Sequence, residues 1–216
     1  KDKADQVFPF SAWNSEDPAK LHEWMASYEK KTGGQLIAIP HNGNLSNGTM
    51  FGNKRFDGSP MTRAYAEERQ KREPLFELTQ IKGQSESHPM LSPSDEFASW
   101  DLWDRGNLNG APKKPDMIAR EYWREALKDG LLLESILGVN PFKYGAQAAT
   151  DTHTGLATAD EDNFWGKFTG AEPGPERMNR EVTPGLNGWE QASSGYTGAW
   201  ATANTREAIF DAMERR

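Results

Sequence analysis

The chain has 216 residues, 36% of them hydrophobic and 26% charged, which allows one packed domain and excludes a disordered or fibrous chain. A net charge of −7 without any Lys/Arg block argues against nucleic acid or an anionic membrane as the main partner, and no run of about 18 apolar residues offers a membrane span. The absence of Cys excludes disulfides and thiolate ligands and leaves the compartment open, cytoplasmic or exported.

Eight Trp, ten Phe and five Tyr supply aromatic area for a core, while a mean hydropathy of −0.83, 20 Gly and 13 Pro predict long polar loops over it. From Asp17 to Lys31 the apolar residues Leu21, Trp24, Met25 and Tyr28 fall at helical spacing, with Ser15 as N-cap and Gly33 as stop. Gln35–Ile39, ended by Pro40, has the composition of a strand buried on both faces, as in parallel sheets, and His41 sits at its C-terminal end. Ala64–Arg72 predicts a charged helix, and Pro74 opens a strand over Leu75–Ile81 that runs into the polar loop Lys82–His88.

A third helix is predicted through Ile118, Tyr122, Ala126 and Leu127 into Leu131, Leu132 and Leu133, closing at Gly138. The small, uncharged run Tyr144–Thr150 reads as a third strand and delivers Asp151 and His153 at its end. Thr154–Gly198 is rich in Gly and Pro without a sustained period, a functional or covering loop, and Thr205–Arg216 is helical. Helices alternating with strands predict an α/β fold with a parallel sheet or barrel. Three strands are too few to close a barrel, and the chain begins Lys-Asp-Lys and stops at Arg215-Arg216. The expectation is therefore one domain fragment, 1–216, the C-terminal half of a β/α barrel whose N-terminal half is missing.

In β/α architectures the active site lies at the C-terminal ends of the strands. His41 follows the first predicted strand, and Asp151 and His153 follow the third, on one side of an extended backbone. One carboxylate with imidazoles is a ligand set for Zn, Mn or Fe, which makes His41, Asp151 and His153 candidate ligands of a catalytic metal cluster, with Asp151 and His153 at the chemistry. Against that, a His after Pro is more often a turn residue or a hydrogen-bonding core residue than a ligand, and Asp-x-His is short and common. Asn42, Asn44 and Asn47 could orient substrate or a ligand His, or simply build a tight loop. Lys82, Glu86 and His88 could line the pocket from their strand-end loop, and Lys143 and Lys167 could neutralise an anionic small-molecule substrate. Glu77 faces away from Phe76 and Leu78, toward a barrel interior or an Arg. His22 reads as structural or exposed. Trp165, Trp189 and Trp200 either cover the site or form a satellite core.

Three segments are more specific taken whole: Ile39–Gly48, Leu78–His88 and Asn140–Gly155. In this order they resemble a bacterial domain-of-unknown-function family (number 3604) that looks related to the PHP (polymerase and histidinol phosphatase) metal-dependent hydrolases, and the resemblance runs on to Asn204–Met213. It implies a distorted PHP-like β/α barrel carrying a cluster of divalent ions, with His41 matching a strand-end His and Asp151 and His153 a terminal Asp-x-His. The early PHP motifs, a His-x-His, a further His and a bridging Glu, have no counterpart here. The implied activity is metal-dependent hydrolysis of a phosphoester by metal-activated water. The rival expectation is a non-catalytic carbohydrate- or ligand-binding module of the same fold, which would need no transition metal.

Overall fold

The computed structural model describes residues 3–153, 167, 174–176, 179–183, 186–191 and 195–216. Helix α1, Pro18–Thr32, is capped by Asp17, whose side chain accepts from Ala19 N at 2.9 Å, with Pro18 at its first position. Ser15, expected as the cap, instead accepts from Asp17 N and braces the capping residue. Gly33 closes the helix in the left-handed conformation (φ 72°), where a Cβ would be strained. Helix α2, Arg63–Arg72, is capped by Thr62, and helix α3, Trp123–Leu137, ends at left-handed Gly138.

The third predicted helix is broken: Pro115–Arg120 forms a 3-10 helix, and α3 starts afresh at Trp123. The break comes where Trp123 N and Arg124 N donate to Ser85 O and Glu86 O rather than to the preceding turn.

Strand β1, Leu75–Gln80, lies between β2, Gly83–Gln84, antiparallel to it, and β3, Gly145–Ala148, parallel to it. The fold is thus α/β, but its sheet is mixed, three strands wide and not closed. The expected strand Gln35–Ile39 is not one. Two hydrogen bonds, Ala38 N to Arg72 O (2.8 Å) and Glu77 N to Pro40 O (3.0 Å), tack the segment against β1, and Pro40 has no amide hydrogen to extend a ladder. Within the stretch read as a loop, β4, Glu181–Thr183, and β5, Leu186–Asn187, form a small antiparallel pair. Helix α4, Arg206–Arg215, is capped by Thr205.

The core fills the Phe76 face of β1 beneath α2 and α3. Phe51, Phe76, Phe142 and Tyr144 are packed there with Ala66, Ala126 and Val139. Phe51 meets Phe76 edge-on at 4.8 Å between ring centroids, the arrangement aromatic quadrupoles favour. Leu75, on the other face, lines a cleft with Trp200 and Met213 beside α4. Thr197 hydrogen-bonds both the N–H and the C=O of Ala148, covering the outer edge of β3. The C-terminal ends of β1 and β3 are therefore left side by side, with polar residues beyond them.

Candidate functional site

Because β1 and β3 run parallel, residues just past their ends meet. Past β3, Asp151 takes a left-handed conformation (φ 55°), which an Asp tolerates better than most residues. Past β1, the turn into β2 turns Lys82 back over the strand end. Lys82 N donates to Gln80 Oε1 (2.6 Å), and Asn44 Nδ2 donates to Lys82 O (3.0 Å).

Asp151 is the hub. Its Oδ2 receives the ammonium of Lys82 and that of Lys167, the latter at 2.5 Å, and Lys167 Nζ also donates to Asp151 O at 2.6 Å. His153 Nε2 lies 3.1 Å from Asp151 Oδ1 and 3.2 Å from Lys167 Nζ, and His153 N donates to Lys167 O. Lys82 Nζ also donates to Gln80 Oε1 at 3.1 Å, and Gln80 Nε2 donates to Asn42 Oδ1. Lys82 and Lys167 are buried, Asp151 is half-buried and His153 is exposed. Burial pushes the Asp151 carboxyl up, but hydrogen bonds from Lys167 and Lys82 outweigh it and hold it below the usual range. Burial and the neighbouring Lys82 charge depress Lys167. Glu77, behind the cluster on β1, is pushed up to about 7 by burial and by the Asp151 charge, with Lys82 and Lys167 opposing. The cluster thus sets two ammoniums, a carboxylate and an imidazole together, with the Glu77 carboxyl, poised near neutrality, behind them.

The structure brings together some of the residues expected at the site and places others apart. Asp151, His153, Lys82, Lys167 and Glu77 cluster, and Asn42 reaches them through Gln80, which sequence reasoning missed. Asn42 stands in a left-handed turn (φ 61°). Asn44 is buried and braces Lys82 O and Ser85 rather than facing a ligand. Asn47 donates to Ala111 O. His41 is exposed; its Nδ1 lies 3.4 Å from Ile39 O, and only its neighbour Asn42 joins the cluster.

Glu86 is in an exposed pair with Arg124. His88 is buried elsewhere, bound to Asp104 and packed on Tyr122; the same Asp104 pairs with Lys113, which also meets Glu121. Lys143 is exposed before β3, at the opposite end from Asp151, since strands advance roughly 3.3 Å per residue. His22 is structural, buried with its Nε2 2.9 Å from Glu73. Trp189 and Trp200 are exposed, so neither forms a satellite core, and Trp165 lies outside the described residues.

Among the described residues no group of three or more His, Asp and Glu side chains is gathered so as to hold an ion. The donors present fit part of a metal shell. Asp151 Oδ1 and His153 Nε2, 3.1 Å apart, are a carboxylate oxygen and an imidazole nitrogen that would share one divalent ion.

An α/β scaffold with a charged cluster beyond two parallel strand ends is the class of protein that fold and site define. The chain belongs to the family described as "Protein of unknown function (DUF3604)", which matches residues 1–216. No curated protein and no solved structure matches it.

Proposed function

We propose that the protein is a metal-dependent hydrolase of anionic esters, with phosphoesters the first substrate class to test, and that its open sheet is part of a PHP-like barrel. The observation that carries the reading is the Asp151–His153 pair set between Lys82 and Lys167 at the ends of two parallel strands. Asp151 and His153 would hold a divalent ion, Zn, Mn or Fe, while His41, which lies apart from them, would not share it as the fold stands. When bound, the ion supplies an activated water and a Lewis-acid contact to the scissile ester.

The chain's own residues do the rest. Two ammoniums against the Asp151 carboxylate and a partly ionised Glu77 leave the cluster with an excess of positive charge, which favours an anionic substrate. Lys82 and Lys167 hold its oxygens, and Gln80, fixed by Asn42, orients Lys82.

The test is turnover of a phosphomonoester and a phosphodiester by the chain loaded with each metal, with and without chelator. Chelator-sensitive turnover supports the reading. Binding of a carbohydrate that chelator leaves untouched, with no turnover, favours the binding module instead.

A further inference from the structure

A cavity of about 740 Å3 lies away from the strand-end cluster, between α1, α2 and the turn that carries Lys54 and Arg55. That turn is fixed by Arg55 N donating to Ser59 O and by Gly58 N donating to Arg55 O, both at 2.9 Å. Three cations face the cavity: Lys54, Arg55 and Arg120. Among the described residues none of the three is in an ion pair, although the chain carries a net charge of −7. The nearby Asp57 is engaged by the N–H and hydroxyl of Ser59. Arg69, also on the lining, is neutralised by Glu73 at 3.0 Å, and Glu16 sets one carboxylate against the three cations.

Arg55 Nε is shut off from water without a hydrogen-bond partner. An unsatisfied buried donor on a charged group is costly, and it shows that the fold itself leaves the Arg55 guanidinium incompletely partnered. Arg55 Cζ stands 5.9 Å from the centre of the Tyr65 ring, and Phe56 is exposed on the same lining. A guanidinium fork with an ammonium and two aromatic rings suits an oxyanion carried on a ring.

We infer that this cavity binds a ring-bearing organic anion, its phosphate, sulfate or carboxylate group held by Arg55 and Lys54. Glu16, Thr49 and Met50 also line the adjoining cleft, which reaches His41, so a long ligand can extend from one to the other. That this ligand is the substrate rests on the hydrolase reading; that the cavity takes an anion does not.

Calorimetry of the full chain with phenyl phosphate, phenyl sulfate, benzoate and inorganic phosphate tests the inference. The variants are Arg55→Met, Lys54→Ala and Asp151→Asn, each checked for folding by circular dichroism. At least one aromatic anion should bind the wild type and Asp151→Asn alike, more weakly as salt rises, and their order identifies the oxyanion. Arg55→Met should weaken it about tenfold or more, the scale of one charge-assisted hydrogen bond, and Lys54→Ala, at an exposed position, should also weaken it. Wild-type failure to bind any of the anions overturns the inference, as does unchanged binding in both cavity variants. Tighter binding in Asp151→Asn, which frees Lys82 and Lys167, with both cavity variants unchanged, would move the anion to the strand ends, overturning the inference while leaving the hydrolase reading intact. Retained anion binding without metal-dependent turnover would sink only the hydrolase reading.

Discussion

Replacing Glu73 by Ala removes the hub of the buried polar network behind the His41 cleft. Glu73 Oε1 lies 2.9 Å from His22 Nε2, and Oε2 accepts from Arg69 Nε at 3.0 Å and Tyr144 Oη at 2.9 Å. Burial alone pushes this carboxyl up, but the Arg69 charge, with His22 and Tyr144, outweighs it and holds it at about 2. Truncation leaves the Arg69 guanidinium, itself buried, without its carboxylate. Breaking such a pair costs about 3–5 kcal/mol. For a chain of this size that is a fall in Tm of roughly 6–20 °C.

The pH dependence has a definite sign. A carboxyl depressed in the folded state stabilises fully above its unfolded value of 4.5 and loses that contribution as pH falls toward about 2. Thermal unfolding followed by circular dichroism between pH 7 and 2 should therefore show the gap between wild type and Glu73→Gln closing below pH 4.5. A Glu73→Ala variant within about 1 kcal/mol of wild type, with the same acid slope, would refute the reasoning.

Three further outcomes follow from the same geometry. Gly43→Ala places a Cβ 2.4 Å from Glu121 O and 2.8 Å from the Phe76 ring, so it should destabilise by about 1–3 kcal/mol in urea titration, and a neutral effect would disprove that crowding. Glu77→Gln should raise Tm at pH 8 and change it little at pH 4. An acid raised to about 7 in the fold opposes folding once it ionises, so stability falls as pH climbs from 4.5 through 7; equal effects at both pH values would contradict this. Lys113→Met strips the cation from Asp104 and the fully buried Glu121, so chemical denaturation should show a loss of several kcal/mol, and a stable variant would show those carboxyls to be protonated instead.

Helix ends were legible in the sequence where one residue decides them: left-handed Gly33 and Gly138, and Thr205 ahead of α4. Ser15 misled because Asp17 also caps well and directly precedes Pro18. Gln35–Ile39 misled because apolar composition signals burial, not a ladder, and Pro40 cannot donate. The parallel pairing of β1 with β3 followed from the helix between them, but β2 is two residues of a tight return with too short a pattern to read. At the site, Asp151 and His153 were visible as a strand-end pair. Lys82 and Gln80 were harder, since their roles depend on a turn that folds Lys82 back onto Gln80 Oε1, a contact between near neighbours that no hydrophobic period reports. His88 and Glu86 sat in the same loop, yet partners more than eight residues away in sequence, Asp104 and Arg124, draw them elsewhere.

The most direct test of the proposed hydrolase is metal content. Chain dialysed against Zn, Mn or Fe, then against metal-free buffer, should retain a divalent ion by elemental analysis, and Asp151→Asn should bind that ion about tenfold or more weakly while staying folded by circular dichroism, with a lower Tm because Lys82 and Lys167 lose their carboxylate. Wild type that retains none of these ions, or an Asp151→Asn variant that holds one as tightly, would contradict the account.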